Sequence, residues 1–259
     1  MSALISLNAV SYRLADTTLL LDTITLSLTA NRTGLVGRNG IGKSTLVRLM
    51  TGELTPSAGT VLVGGRIATL HQMLAPNPSD TLADIMAVME PLARLDRLER
   101  GAPEDGDFDL VDWSLPQRLE AALSQIGLDG IALDRSADSL SGGQITRAAL
   151  ARLLIEEPDF ILLDEPTNNL DADGRAALYD FLSRWHKGAL VISHDRALLR
   201  LMDRTLELSG LGLKSYGGGY DDYVAQKETE EAAARHVLED AKRAKAQAIS
   251  AAQVQRERQ

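Results

Sequence analysis

The sequence predicts an α/β fold in which a parallel sheet is covered by helices on both faces. Two runs, Phe160 to Leu163 and Ala189 to Ile192, are apolar at every position, which is typical of strands buried on both faces. Helical stretches at Gly142 to Glu157 and Ala176 to Trp185 alternate with them. A glycine-rich loop leads into a further helical stretch, Lys43 to Leu49. Strands and helices that alternate in this way indicate a parallel sheet.

Composition restricts the class of protein. The chain has 259 residues, 44% of them hydrophobic, which suits one large α/β domain or a domain with an extension. The absence of cysteine excludes disulfides, thiolate metal sites and a cysteine nucleophile. A net charge of −9 disfavours coating of nucleic acid by the whole surface, although a local basic patch remains compatible. Because the chain shows neither a signal peptide nor a long uncharged apolar run, we expect a cytoplasmic protein with no transmembrane segment of its own.

The first elements of the chain are predicted to be short strands. Residues Leu4 to Leu28 contain β-like runs separated by the polar turn Ala15 to Thr18. From Thr81 to Leu128 the apolar residues follow helical spacing, and three prolines divide this region. The expected apolar faces are Leu82, Ile85, Met86 and Met89 on one helix and Leu119, Leu123 and Ile126 on another, with Pro91, Pro103 and Pro116 between helices.

An acidic stretch, Gly101 to Asp112, lies within this helical region. It carries five carboxylates and little that could be buried, which predicts a solvated loop. A small interaction surface is the alternative interpretation.

The octet Gly37 to Ser44, GRNGIGKS, has the pattern of a phosphate-binding loop. Its glycines allow backbone N–H groups to converge on phosphate oxygens at a helix N-terminus. Lys43 is expected to reach the β- and γ-phosphates and Ser44 to bind Mg²⁺. A plain glycine-rich turn would not explain Gly, Lys and Ser together after a strand. The residues expected to bind nucleotide here are Gly37, Asn39, Gly40, Gly42, Lys43, Ser44 and Thr45.

Two carboxylates, Asp164 and Glu165, follow the apolar strand that begins at Phe160. Next to a phosphate loop, this arrangement predicts Asp164 near Mg²⁺ and Glu165 as the group that polarises the attacking water. His194 likewise follows an apolar strand, at the edge where ligands of parallel sheets collect, although a surface histidine is the ordinary alternative.

A second anion site is predicted where a serine and two glycines open a helix. Ser141 is a suitable N-cap, and Gly142, Gly143 and Gln144 follow it. A simple helix start would need the serine but not the glycines.

The order of these motifs resembles the ATP-binding cassette (ABC) superfamily. The matching residues are Gly37 to Ser44, Gln72, Leu140 to Gln144, Asp164, Glu165, Asp171 and His194. The resemblance spans roughly Leu4 to Val224, and the signature from Leu140 to Gln144 is its most specific element. It implies a P-loop NTPase fold with a parallel core sheet, an N-terminal antiparallel β-subdomain and an inserted helical subdomain. On this basis residues 1–225 are the cassette, and about 74–143 are the helical subdomain with the signature.

The resemblance also implies an ATPase that uses ATP and Mg²⁺. By analogy, Gln72 would sense Mg²⁺ and the water, with Ser44 and Asp164 as the other metal ligands. Glu165 and His194 would be catalytic. Asp171 would connect the two ATP sites of a cassette pair. In such a pair, the resemblance implies that the signature of one cassette caps the ATP that the phosphate loop of the other holds. Tyr12 matches the aromatic residue that stacks on adenine, with a core tyrosine as the alternative.

Three local features resemble the F subfamily (ABC-F). They are Pro166 to Asp171 with two asparagines, Ser193 to Arg196, and the tyrosine–glycine run Tyr216 to Tyr223 that leads into a charged helix. F-subfamily proteins join two cassettes by a helical linker, without transmembrane partners, and characterised members act on ribosomes. The chain would then be the first cassette with the start of the linker, 226–259. The span from Met73 to Ser139 leaves room for only a short arm insertion or for none.

Two interpretations of the partner remain open. The cations from Lys242 to Arg258 make the linker end locally basic, which suits contact with ribosomal RNA, but equally suits solvated helix positions. A translation factor and the ATPase subunit of a membrane transporter are therefore both considered, and the F-subfamily features favour the first.

Overall fold

The computed structural model describes residues 4–70, 76–77, 79–168 and 170–257, with side chains described as far as Glu239. Gln72, Asn169 and Arg258 therefore lie outside the described residues, and so do the side chains of the other cations predicted to form a basic linker end. The strands are β1 Ile5–Arg13, β2 Leu19–Leu28, β3 Arg32–Val36, β4 Ala58–Val63, β5 Ile67–Leu70, β6 Phe160–Asp164, β7 Gly188–Ile192, β8 Arg204–Ser209 and β9 Gly212–Tyr216. The α-helices are α1 Lys43–Met50, α2 Leu82–Ile85, α3 Met89–Glu99, α4 Asp107–Leu110, α5 Leu115–Ile126, α6 Gly142–Glu156, α7 Ala172–Arg184, α8 Arg196–Leu199 and α9 Tyr220–Glu257.

A parallel sheet forms the centre of the cassette. Its strand order is β5-β6-β7-β3-β8-β9, and only the pairing of β8 with β9 is antiparallel. Every residue of β7 is buried, and so are the four apolar residues of β6. Two apolar clusters cover the opposite faces of these strands, which alternate their side chains between them. The predicted α/β class with a covered parallel sheet is confirmed.

A separate antiparallel sheet of three strands, in the order β2-β1-β4, contains the N-terminal elements. The polar turn between β1 and β2 is present as predicted. The Asp16 carboxylate accepts a hydrogen bond from the backbone N–H of Thr18 over 3.0 Å, which is the usual way in which aspartate closes a turn. One face of this sheet packs into the same apolar cluster as α1.

The helical region differs from the sequence prediction at one apolar position. Leu82, Ile85 and Met86 are buried as expected, but Met89 is 44% exposed. Ala87 adopts a left-handed φ of 56°, so the chain leaves the helix between α2 and α3 and the helical spacing is interrupted there. Pro91 and Pro116 lie inside the first turns of α3 and α5, where a proline is tolerated.

The acidic stretch is more ordered than a solvated loop. It contains α4, and Asp107 is almost completely buried. The carboxylate of Asp107 accepts hydrogen bonds from Arg97 over 2.7 and 2.9 Å and forms an ion pair with Arg94. The prediction of little burial was wrong here, because the two arginines that neutralise Asp107 come from another helix.

Two helix boundaries follow from capping residues. α7 begins four residues before the predicted Ala176, because the Asp171 carboxylate accepts a hydrogen bond from the Gly174 N–H over 2.8 Å and caps the helix. α9 begins at Tyr220 and runs for 38 residues. Despite this length it is polar, and among the described helices we find none apolar enough to span a bilayer.

Gly188, at the start of β7, is needed for the approach of β6. A Cβ placed on Gly188 would lie 2.2 Å from Cδ2 of Phe160, well inside contact distance. We therefore expect Gly188→Ala to lower the free energy of unfolding by about 1–3 kcal/mol through overpacking. Urea denaturation measures this loss. Gly210→Ala is the matched control, since its Cβ would meet no atom within 4 Å, and an equal loss in both variants would contradict the packing argument.

Candidate functional site

The predicted phosphate loop connects the end of β3 to α1 and requires glycine at two positions. A Cβ on Gly37 would lie 2.4 Å from the carbonyl oxygen of Leu208 in the neighbouring strand β8. Gly42 has a φ of 106°, in the left-handed region, and its Cβ would lie 2.9 Å from a methyl group of Leu21. Any other residue at these positions would push the loop away from the sheet or strain its backbone.

The N-terminus of α1 is available to an anion. Gly42 is its N-cap residue and supplies no side-chain acceptor to the first N–H groups of the helix. A Cβ on Gly40 would meet no atom within 4 Å, so the loop is open on that side. Unsatisfied N–H groups and the helix dipole together attract phosphate.

Lys43 brings a positive charge to this loop. Its side chain is buried, and its ammonium group donates hydrogen bonds to the carbonyl oxygens of Gly37 over 2.7 Å and Arg38 over 3.2 Å. The charge is therefore held against the loop itself.

A cavity of about 240 Å³ lies in front of the loop. It is lined by Leu20, Asn39, Gly40, Gly42, Lys43, Ser44, Thr45, Asp164 and Glu165. Eight of these nine were expected from the sequence to contact ATP, Mg²⁺ or the attacking water. The exception is Leu20, which gives one wall of the cavity an apolar character. The hydroxyl of Ser44 and the carboxylate of Asp164 are hard oxygen ligands of the kind that Mg²⁺ prefers, so the cavity chemically fits this ion.

Glu165 occupies an unusual backbone conformation. Its φ is 47°, in the left-handed region that non-glycine residues rarely adopt. Its N–H still donates to the carbonyl oxygen of Ile192 over 2.9 Å, so the strand pairing continues while the chain turns. Such strain persists only where surrounding contacts enforce it and is concentrated at functional sites.

His194 joins the carboxylate and the phosphate loop. Its Nε2 lies 3.0 Å from Oδ1 of Asn39 and 3.3 Å from Oε1 of Glu165. Because an amide oxygen only accepts hydrogen bonds, the pair with Asn39 requires the proton on Nε2. Burial raises the pKa of Glu165 above its ordinary value, and the charges of His194 and Lys43 oppose this rise.

Two hydrogen bonds that the sequence did not predict support the segment around His194. The hydroxyls of Thr167 and Ser193 lie 3.5 Å apart, and Ser193 is fully buried. The Tyr179 hydroxyl donates to the carboxylate of Asp195, which also caps α8. These partners come from distant parts of the chain, so no local sequence signal could identify them.

The signature residues, Ser141 to Gln144, form a second group that is separate from the phosphate-loop cavity. Ser141 caps α6 in a capping box, accepting from the N–H of Gln144 over 3.2 Å while its own N–H donates to the Gln144 side chain over 2.9 Å. A Cβ on Gly142 would lie 3.2 Å from Oδ2 of Asp171, and one on Gly143 would lie 3.0 Å from Cβ of Asp173. The two glycines therefore allow α7 to approach α6. Of the described residues that line the phosphate-loop cavity, none belongs to this group.

Two further residues, Tyr12 and Gln72, were predicted to contribute to the site. Tyr12 lies on β1 opposite Leu21, is partly buried and packs against the core cluster, so its contact with adenine stays a prediction. Gln72 lies outside the described residues.

Comparison with known proteins decides the family. The family model described as ABC transporter matches residues 21–168, which include the phosphate loop, the signature, Asp164 and Glu165. The chain belongs to the ATP-binding cassette family. It is an ATP-binding cassette ATPase, and curated relatives agree with its resemblance to the F subfamily.

Three curated relatives illustrate the resemblance to the F subfamily. The tylosin resistance ATP-binding protein TlrC of Streptomyces fradiae is 36% identical over 88% of this chain and 46% of its own length. The ATP-binding protein Uup of Escherichia coli is 35% identical over 81% of this chain and 36% of its own length. The ABC transporter F family member 5 of Arabidopsis thaliana is 30% identical over 76% and 32%, respectively. The cassette thus spans less than half the length of each of these relatives.

Solved structures agree on the fold. An ATP-binding cassette of an ABC transporter, MJ1267 in its ADP conformation, superposes with a TM-score of 0.66 at 20% identity, covering 84% of this chain and 92% of that one. The ATP-binding subunit of another ABC transporter gives a TM-score of 0.66 at 21% identity, covering 87% and 93%. The cassette therefore has the ABC ATPase fold.

The raised pKa of Glu165 predicts a pH-dependent stability difference. At neutral pH the ionised carboxylate is held in a site that disfavours its charge, so Glu165→Gln should raise the melting temperature. As the pH falls through the raised pKa, the carboxyl becomes neutral like glutamine. The difference should therefore shrink, and it should vanish below the ordinary pKa of 4.5.

Thermal unfolding of both proteins between neutral and acid pH tests this prediction. Glu120→Gln, at an exposed position on α5, is the control and should show no comparable difference. A Glu165→Gln protein that melts below the wild type at neutral pH would contradict the argument.

Proposed function

We propose that this cassette binds ATP and Mg²⁺ in the phosphate-loop cavity and hydrolyses the nucleotide after pairing with a second cassette. We further propose that it is the first cassette of a longer cytoplasmic ABC-F protein that acts on the ribosome. The observation that carries the ATPase site is the cavity that combines the loop from Asn39 to Thr45 with Asp164 and Glu165.

The proposed roles follow from position and chemistry. The N–H groups at the start of α1 and the ammonium of Lys43 bind the phosphates, and Thr45 lines the same wall. Ser44 and Asp164 hold Mg²⁺, which when bound neutralises charge that develops on the phosphate oxygens. Glu165 accepts the proton of the attacking water, and its raised pKa makes it a stronger base than an exposed glutamate. His194 orients Glu165 through the 3.3 Å contact and contacts the phosphate loop through Asn39.

The proposed pairing rests on the separation of the signature from the described lining of the cavity. Ser141 to Gln144 and Asp171 lie at the N-termini of α6 and α7, away from the described lining of the cavity. If the signature contributes to ATP binding, as the family resemblance implies, it must do so in a second cassette. The proposed partner is therefore another cassette, either in the same longer chain or in a head-to-tail dimer.

The ribosome proposal rests on the F-subfamily features. These are the segment Pro166 to Asp171, the segment Ser193 to Arg196, and the Tyr216 to Tyr223 run that leads into α9. The relatives' greater length is compatible with a second cassette after α9. A transporter subunit is the second candidate, because the structural neighbours include cassettes of ABC transporters.

Co-sedimentation with ribosomes separates the two candidates. The whole reading frame that contains this cassette, carrying Glu165→Gln, is mixed with ribosomes with and without Mg-ATP. Loss of the base should slow hydrolysis about 10²–10⁴-fold while ATP stays bound, so we expect ATP-dependent pelleting. Full ATP binding without pelleting would reject the ribosome role, and unchanged turnover would reject Glu165 as the base.

Replacing Lys43 tests whether the phosphate loop binds ATP. Lys43→Ala removes charge-assisted hydrogen bonds to phosphate, each typically about 1.5–3 kcal/mol, and should raise the Kd for ATP at least about tenfold. Titration with a fluorescent ATP analogue measures the change. Lys187→Ala is the matched control, since the Lys187 ammonium contacts the carbonyl oxygens of Glu157 and Pro158, away from the loop. Wild-type affinity in Lys43→Ala would refute the proposed role.

A further inference from the structure

Three large apolar side chains stand out from the helical region into solvent. Phe108, Leu110 and Trp113 are 71%, 64% and 63% exposed, respectively. We call this group the aromatic ledge. Single exposed apolar residues are ordinary, but several large ones within one short segment are typical of an interaction site. The three residues lie within six positions of the chain, which even fully extended spans at most about 20 Å. They therefore belong to one short exposed segment of the chain.

The ledge is held in place from its N-terminal side. The buried carboxylate of Asp107 accepts hydrogen bonds from Arg97 and from the backbone N–H of Glu104, and it pairs with Arg94. Arg94 also donates to the carbonyl oxygen of Leu110 over 3.3 Å. Two arginines of α3 thus fix both ends of α4, on which Phe108 and Leu110 lie.

The C-terminal side is held in the same manner. Asp112 accepts hydrogen bonds from the N–H and the hydroxyl of Ser114, and it forms an ion pair with Arg118 of α5. Trp113 lies between these partners in sequence. Because the backbone is fixed at both ends, the exposed side chains would lose little backbone freedom on binding, which favours affinity. Rigid aromatic residues are also the side chains that most often dominate binding energy.

The acidic residues around the ledge favour a basic partner. Residues 101–113 contain five carboxylates and no basic residue. The arginines of α3 and α5 pair with Asp107 and Asp112, and Arg97 also lies 3.8 Å from Glu104. Asp105 and Asp109 are exposed and have no basic partner in the described part of the chain. The unpaired carboxylates of Asp105 and Asp109 attract cations and repel the phosphates of nucleic acid.

We propose that the aromatic ledge docks a basic, amphipathic polypeptide segment. The apolar side of such a segment covers Phe108, Leu110 and Trp113, and its lysines or arginines face Asp105 and Asp109. On the ribosome this partner is a basic segment of a ribosomal protein and not RNA; that identification alone rests on the proposed function.

A peptide titration tests the ledge without any ribosome. Of the two tryptophans, Trp185 is buried, so a blue shift of emission on binding reports Trp113. The probe is a peptide of about three heptads built from lysine and leucine at helical spacing, and the control peptide has glutamate in place of lysine. We expect a saturable blue shift with the lysine peptide alone. No shift, or equal shifts with both peptides, would overturn the proposal.

Variants locate the contact. Phe108→Ser should weaken binding of the lysine peptide about tenfold through lost apolar burial, and Asp109→Asn should weaken it mainly at low salt. Leu211→Ser is the matched control, because Leu211 is a fully exposed leucine in the turn between β8 and β9. All three variants should retain the ATPase activity of the wild type. Equal weakening by Phe108→Ser and Leu211→Ser would mean general association with an acidic protein and would overturn the ledge.

Photo-crosslinking identifies the partner on ribosomes. Benzoylphenylalanine is placed at position 110 of the whole reading frame carrying Glu165→Gln, with position 211 as the control site. We expect an ATP-dependent crosslink from position 110 to a ribosomal protein. A crosslink to ribosomal RNA, or pelleting without a crosslink, would overturn the ribosomal assignment of the ledge and leave the proposed function standing. Absence of pelleting would reject the proposed function, and the peptide titration would still decide whether the ledge binds a basic segment.

Discussion

The parallel pairing of β6, β7 and β3 is the constraint on which the rest of the site depends. β6 and β7 are buried on both faces and β3 is buried from Thr33 to Val36, so the three strands lie at the centre of a covered sheet, and their carboxyl ends meet at one edge. β3 delivers the phosphate loop to that edge, β6 delivers Asp164 and Glu165, and β7 delivers His194. Groups separated by more than a hundred residues therefore come within hydrogen-bond distance without any local sequence signal. Hydrogen bonds of Thr167 with Ser193 and of Tyr179 with Asp195 then hold the segment around His194.

Two features, at Glu165 and at Gly37, show how closely this edge of the sheet is packed. Glu165 leaves β6 with a left-handed backbone that a non-glycine residue adopts only at a cost, and its side chain is only 16% exposed. Gly37 leaves β3 beneath the carbonyl oxygen of Leu208, where no side chain fits. The left-handed backbone of Glu165 lowers stability compared with an ordinary strand end, whereas glycine at position 37 permits the close approach of β8. Both also bring backbone and carboxylate close to the cavity, and stability and activity are often opposed in this way at active sites.

The sequence predicted the parts of this molecule that depend on local patterns. The buried strands, the glycine loop, the serine cap of α6 and the turn near Asp16 each have a short-range signal, and the structure contains all of them. The errors occur where long-range contacts decide. Met89 satisfied helical spacing but is exposed because Ala87 breaks the helix, and Asp107 is buried because arginines of α3 neutralise it. The contact of Asn39 with His194 joins residues 155 positions apart, so no spacing rule could have found it.

The long helix α9 is attached to the same sheet that carries the phosphate loop. Lys227 donates to both carboxylate oxygens of Glu207 over 2.8 Å, and Lys214 and Tyr216 of β9 contact Glu230. Burial beside Glu207 raises the pKa of Tyr216 to about 12, so its hydroxyl remains a hydrogen-bond donor at any physiological pH. Glu207 precedes Leu208, whose carbonyl oxygen limits the position of Gly37. The first turns of α9 contact Glu207, and the first residue of the phosphate loop packs against the neighbouring Leu208, so both rest on adjacent residues of β8.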